Sequence, residues 1–236
     1  MSLKNLWPKK DAPQIEKALQ FIEKYKDKKI VLKYGGQVMA NDQLSKAFAQ
    51  DAAICNQVGI KNLVIHGGGP QIKKRLEEQN IQSKFILGLR VTDEKVIKIV
   101  EDVLLNDINP DLVRSINSFN VVAEPVTARN GKGILKVTKA KNPDLGFVAD
   151  PEEIDVNKLN DIINSNKVPV IAPMGLGEND QVYNINADTA AGIIAIKVNG
   201  ITNSKLRPDG IFVPRNTPAM VDICQKNHRV KPPPSK

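Results

Sequence analysis

Apolar residues change their spacing along this chain in a regular way. Short runs at 30–33 (IVLK), 62–65 (NLVI) and 168–172 (VPVIA) are too brief for helices and read as buried strands. Between them the spacing lengthens to three and four residues. Leu44, Phe48, Ala52 and Cys55 share one face of a helix expected over 44–58, closed near Gly59. Further helices are expected over 71–79, 94–105, 112–119 and 156–165, with an alanine-rich one starting at about Asp188. At the start, Ile15, Ala18, Leu19, Ile22 and Tyr25 predict a helix over 13–29, entered through Pro13. That helix either packs on its own domain or reaches another subunit as an arm. Residues 121–127 read as a strand, Asn130-Gly131 and Gly133 as a hairpin signal, and 135–141 as the return strand. Residues 142–155 look like a lid or a second hairpin. Strands alternating with helices at this spacing predict an α/β fold on a mainly parallel sheet, with ligand at the carboxyl ends of the strands.

The densest chemistry lies at 63–72 (LVIHGGGPQI), where a strand runs into three glycines and then a helix. Such a turn leaves bare backbone N–H groups at a helix N-terminus, aligned with the positive end of its dipole. A second turn of this design at 30–36 (IVLKYGG) adds Lys33 beside Gly35 and Gly36. Two glycine turns and a lysine point to a phosphate site. Arg90, within the apolar stretch 85–93 (FILGLRVTD), is either a carboxylate clamp or a surface cation paired with Asp93 or Glu94. At 175–192 (GLGENDQVYNINADTAAG), Asn184, Asn186 and Asp188 alternate with small or apolar residues. An amide there both donates and accepts, which suits an acylated amine; a solvated turn with an aspartate as helix N-cap is the plainer reading.

Composition narrows this picture. At 236 residues, 41% of them apolar, the chain can bury one large or two small cores, and no apolar run approaches the length of a membrane span. The N-terminus lacks the apolar segment of an export signal, and Cys55 and Cys224 form no close pair. With only His66 and His228 besides, no zinc set is expected, and the chain reads as cytoplasmic. The formal charge of +8 is uneven: residues 201–236 carry seven Lys/Arg against two Asp/Glu, so +3 remains on the first 200. No basic stripe with aromatics appears there, which argues against nucleic acid as a partner. Neither a G-x-G-x-x-G nor a Walker A sequence is present.

Together, KYGG (33–36), HGGGPQI (66–72), GLRVTD (88–93), DLGFVADPEEID (144–155) and YNINADTAAG (183–192) resemble the acetylglutamate kinases, within the amino acid kinase superfamily. The resemblance covers about 13–200 and implies a three-layer amino acid kinase sandwich. It implies transfer of the γ-phosphoryl group of ATP to the side-chain carboxylate of N-acetyl-L-glutamate, a step of arginine synthesis. Lys33 would stabilise the transferring phosphoryl, and Asp188 would orient the catalytic lysines. Gly35 and Gly36 would approach the ATP phosphates, and Gly68 and Gly69 the reacting carboxylate. Arg90 would clamp the α-carboxylate, and Asn184 would hold the acetamido group. Mg²⁺ would arrive with the nucleotide, without a dedicated protein metal site. The first helix resembles the arm of arginine-inhibited hexamers, with Tyr25 in the matching place, so a homo-oligomer is expected: a dimer or a hexamer.

The implied organisation is an arm at 1–29, an acceptor-binding domain at 30–200 and an irregular, basic, proline-rich tail at 201–236, with a strand only near 210–213. The tail lacks the family's later glycine-rich segment with a second lysine, so the nucleotide half is expected to be incomplete, through a frameshift or truncation near 200. Gln37 after KYGG and Glu124-Pro125 are smaller departures. Alternatives are a kinase of another acid such as aspartate or carbamate, and a non-catalytic binder of N-acetylglutamate or arginine.

Overall fold

The computed structural model describes residues 15–129 and 133–199. In chain order its first half comprises α1 (Ile15–Tyr25), β1 (Lys29–Tyr34), α2 (Gly36–Met39), α3 (Asp42–Gln57), β2 (Lys61–His66), α4 (Gly69–Glu78), β3 (Phe85–Ile86), β4 (Leu89–Arg90), α5 (Glu94–Asp102) and α6 (Asn109–Asn117). There follow β5 (Val122–Val126), β6 (Leu135–Lys139), β7 (Ala149–Ile154), α7 (Val156–Asn164), β8 (Lys167–Ile171), β9 (Met174–Leu176), β10 (Val182–Asn184) and α8 (Ala187–Lys197).

Strands β1, β2, β8 and β5 form, in that order, a wholly parallel sheet. Successive side chains on a strand face opposite ways. Val31, Leu63, Ile65 and Ile171 therefore meet Leu159, Ile163 and Ile194 of α7 and α8 in one core. Val64, Val168 and Val170 meet Phe48, Ala52, Leu112 and Ile116 of α3 and α6 in another. Helices on both faces explain why these strands read as continuous apolar runs. The result is the expected three-layer α/β sandwich on a mainly parallel sheet. Caps start the helices where polar side chains reach bare N–H groups: Asn41 accepts from Leu44, Asp93 from Lys95 and Val96, and Asp155 from Lys158.

Three expectations change. The predicted 121–127/135–141 hairpin does not form: β5 lies beside β8 in the parallel sheet, while β6 pairs antiparallel with β7 in a second sheet ordered β10-β9-β6-β7. Ala123 and Val126 are buried in opposite cores, so β5 needs helices on both of its faces, which a hairpin would not supply. Within 142–155, a 3₁₀ turn (Pro143–Leu145) leads into β7, so the stretch supplies the second arm of a hairpin with β6 and is not a hairpin of its own. The helices predicted either side of Pro110 are one continuous rod, because a π-helical stretch, Val103–Ile108, joins α5 to α6. Pro110 falls in the first turn after this change of register, where a missing N–H is tolerated.

Helix α1 packs on its own fold through Tyr25, buried against Ile30 and Ile60, while Leu19 remains 52% exposed. The expected tail, its strand near 210–213 and the Asn130-Gly131 turn lie outside the described residues.

Candidate functional site

The site gathers at the carboxyl ends of β1 and β2. Parallel pairing puts Lys33 opposite Ile65 and Tyr34 opposite His66, so both strands enter their glycine turns together. The Gly67 N–H donates to the Tyr34 carbonyl at 2.8 Å, stitching one turn to the other. A Cβ on Gly36 would stand 3.0 Å from the Pro70 ring, so the turns are in contact. Gly35 caps α2, and Gly68 and Gly69 open α4. Among the described residues, neither Gly68 nor Gly69 gives its N–H to a protein acceptor. A side chain at Gly68 would force its neighbours to shift, since its Cβ would meet the ends of Leu104 at 2.5 Å and Ile108 at 3.0 Å.

Lys33, one residue before the end of β1, reaches Asp188, its Nζ 3.1 Å from Oδ1. That oxygen is buried and takes no aligned hydrogen bond, so charge holds the pair. Asp188 lies in the first turn of α8, where the helix dipole favours a carboxylate. Asn186 is the cap of that helix, accepting from the N–H groups of Asp188 and Thr189 at 2.9 and 3.1 Å. The cap expected from an aspartate is therefore supplied by Asn186, while Asp188 lies inside the first turn and faces Lys33.

Arg90 is 8% exposed and pairs with no carboxylate among the described residues. Asp93 instead caps α5, and Glu94 lies 3.3 Å from Lys98. The guanidinium donates to Ser83 and, at 3.2 Å, to the Gly69 carbonyl, with Phe85 4.8 Å away. Burial pulls its pKa below the usual arginine value. A buried cation beside a glycine turn is suited to a bound anion. Ser83 and Phe85 had not stood out in the sequence. Leu87-Gly88, with positive φ at both positions, is the hairpin turn that sets Phe85 opposite Arg90, and Gly88 was its legible signal.

Asn184 ends β10 and joins the Arg90 segment through a strip of backbone. Its N–H donates to Phe147 at 2.9 Å, Phe147 donates to Thr92 at 2.6 Å, and Thr92 donates to Leu145 at 2.9 Å. Gly146, at φ +69°, permits this packing; a Cβ there would run into the Thr92 carbonyl. His66 is wholly buried, and burial pushes its imidazole down to about 4. Among the described residues no group of three or more His, Cys, Asp or Glu is placed to hold a metal, and no helix is long and apolar enough to cross a membrane.

A doubly covered parallel sheet, with two apposed glycine turns and a lysine at its carboxyl edge, defines a three-layer α/β protein whose candidate site lies at the carboxyl ends of its strands. The chain belongs to the amino acid kinase family, whose description, "Amino acid kinase family", matches residues 28–201. It is 44% identical over 194 residues to the acetylglutamate kinase of Pelagibacter ubique, covering 82% of this chain and 66% of that one. To the Rhodospirillum centenum acetylglutamate kinase it is 42% identical over 199 residues, covering 80% and 65%. The chain thus spans about two thirds of the length of these curated relatives. Among solved structures it resembles a Streptococcus mutans protein, with a TM-score of 0.67 at 26% identity over 77% of this chain and 76% of that one. It shares its fold with the N-acetylglutamate synthase of Neisseria gonorrhoeae complexed with coenzyme A and N-acetyl-glutamate, with a TM-score of 0.70 at 18% identity over 83% and 47%.

Proposed function

We propose that the chain carries the phosphoryl-transfer site of an acetylglutamate kinase, which moves the γ-phosphoryl group of ATP to the side-chain carboxylate of N-acetyl-L-glutamate in arginine synthesis. The carrying observation is the Lys33–Asp188 pair, formed at the end of β1 where that strand enters the first of two apposed glycine turns. Phosphoryl transfer is catalysed largely by positioning and by charge placed where charge develops. Lys33 supplies that charge, and Asp188 holds its ammonium. Gly35 and Gly36 admit the ATP phosphates, while the free N–H groups of Gly68 and Gly69 receive the attacking carboxylate. Arg90 takes the α-carboxylate and Asn184 the acetamido group. Mg²⁺ would come with ATP and be coordinated through its phosphate oxygens. As a soluble biosynthetic enzyme the protein would work in the cytoplasm.

A second reading is binding of N-acetylglutamate without transfer. It is favoured by Gly68, Gly69, Arg90 and Asn184, the groups proposed for the acceptor, all lying among the described residues. ADP release from MgATP on adding N-acetyl-L-glutamate, with Lys33→Ala as control, separates the two. Release that disappears in the variant supports the kinase; calorimetric binding of N-acetylglutamate without release supports the binder. For assembly we propose a homo-oligomer in which the exposed side of α1 takes part.

A further inference from the structure

A buried polar chain runs from β8 to the glycine turn after β2. His66 and Asn109 are both fully buried. Asn109 Nδ2 lies 2.9 Å from the Val170 carbonyl and 3.1 Å from His66 Nε2, and His66 Nδ1 lies 2.9 Å from the Gly67 carbonyl. A carbonyl only accepts, so Val170 fixes which end of the amide faces it. Flipping Asn109 would set Oδ1 against that carbonyl, and the orientation holds although it leaves Oδ1 buried without a hydrogen bond. The amide thus presents N–H to the imidazole, making Nε2 the acceptor. The ring proton must then sit on Nδ1, where it donates to Gly67.

The consequence falls on the turn. All described peptide bonds are trans, and in a trans peptide the C=O and the following N–H point opposite ways. Holding the Gly67 carbonyl back against the ring therefore aims the Gly68 N–H away from it. The same helical rod presses on the turn a second time, through Leu104 and Ile108 against Gly68. Its π-helical stretch, Val103–Ile108, ends one residue before Asn109, so one irregular segment supports the turn by packing and by hydrogen bond. π-Helical insertions recur at functional sites.

We propose that Asn109 and His66 are positioning residues, which set the direction of the Gly68 N–H by holding the Gly67 carbonyl away from the bound carboxylate. The assignment rests on Gly68 receiving that carboxylate, as in the proposed kinase. Neither residue touches the reacting atoms. They act through one peptide plane.

Nitrogen-15 NMR of the histidine-labelled full chain reads the tautomer directly, with His66→Asn assigning the signal against His228. The expected result is a neutral ring at pH 7 with its proton on Nδ1; a proton on Nε2 overturns the relay. Two substitutions then separate positioning from packing. Asparagine at this site places an N–H near the lost Nδ1, whereas glutamine replaces only the farther nitrogen. With N-acetyl-L-glutamate and MgATP, His66→Asn should retain kcat within about threefold, and His66→Gln should lose about tenfold to a hundredfold with the KM for MgATP little changed. Equal losses in two folded variants overturn the proposal and leave the kinase reading intact. If the wild type shows no turnover, the kinase reading fails, and the relay is judged on the Gly68 amide resonance. That resonance should shift in His66→Gln and stay in place in His66→Asn; equal shifts overturn the relay.

Discussion

Lys33 and Asp188 are 155 positions apart in the chain, yet their charged ends meet at 3.1 Å where β1 and α8 converge. The lysine is 14% exposed and the aspartate 40%, so the ammonium is shielded from water and held by one carboxylate. Replacing Lys33 with alanine should reduce N-acetylglutamate-dependent ADP release by about a hundredfold or more, the scale of losing one charge-stabilising donor. Thermal melting of the variant checks that the fold survives. A variant as active as wild type would remove Lys33 from the mechanism.

Arg90→Lys should keep the charge and lose the fork. Lysine cannot bond Ser83 and the Gly69 carbonyl together while offering a bidentate face. Calorimetry should show N-acetylglutamate affinity falling by about tenfold or more, with MgATP binding unchanged. Unchanged affinity would place the carboxylate elsewhere.

Gly68→Ala tests how closely the rod backs the turn. The added methyl would meet Leu104 at 2.5 Å and Ile108 at 3.0 Å, an overpacking expected to cost about 1–3 kcal/mol in urea unfolding. Leu104→Ala should offset part of that cost when the two are combined, a coupling that a double-mutant cycle measures. Strict additivity would show that the clash is relieved by other movement.

His66 makes stability depend on pH. Its imidazole lies at about 4 in the fold against 6.5 when unfolded. Above pH 6.5 both states are neutral and the group has no effect. Between 6.5 and 4 the unfolded chain takes up a proton that the fold refuses, so stability falls with pH by about 3 kcal/mol in all. Below about 4 the loss stops growing. Urea midpoints between pH 7 and 4.5 should therefore drop less steeply in His66→Asn than in wild type; equal slopes would contradict the shift.

Leu19 projects from α1 at 52% exposure while Ala18 and Tyr25 are buried. If that face meets another copy, Leu19→Lys should shift the sedimentation profile at micromolar concentration toward smaller species. A wild-type monomer would end the oligomer proposal.

Much of this fold can be read along the chain because its signals are local. The runs around Val31, Val64 and Val170 are apolar without alternation because helices cover both faces of the sheet, and that burial is written into the residue types. Lys33 and the glycines at 35, 36, 68 and 69 stand out because a turn leading into a helix needs them within a few positions of one another. What lay beyond reach depends on partners far away in the chain. Whether Val122–Val126 joins Leu135–Lys139 or Lys167–Ile171 is decided by which cores receive Ala123 and Val126, and the glycine turn between them signals only a change of direction. The environment of Arg90 depends on a hairpin that sets Ser83 and Phe85 against it. The link from Val170 through Asn109 to His66 joins three elements that only packing brings together. Local pattern determined the elements and the candidate chemistry, because backbone geometry and burial act over a few residues; tertiary structure alone decided strand partners, the tautomer of His66 and the aim of the glycine turn, because those are set by contacts between segments.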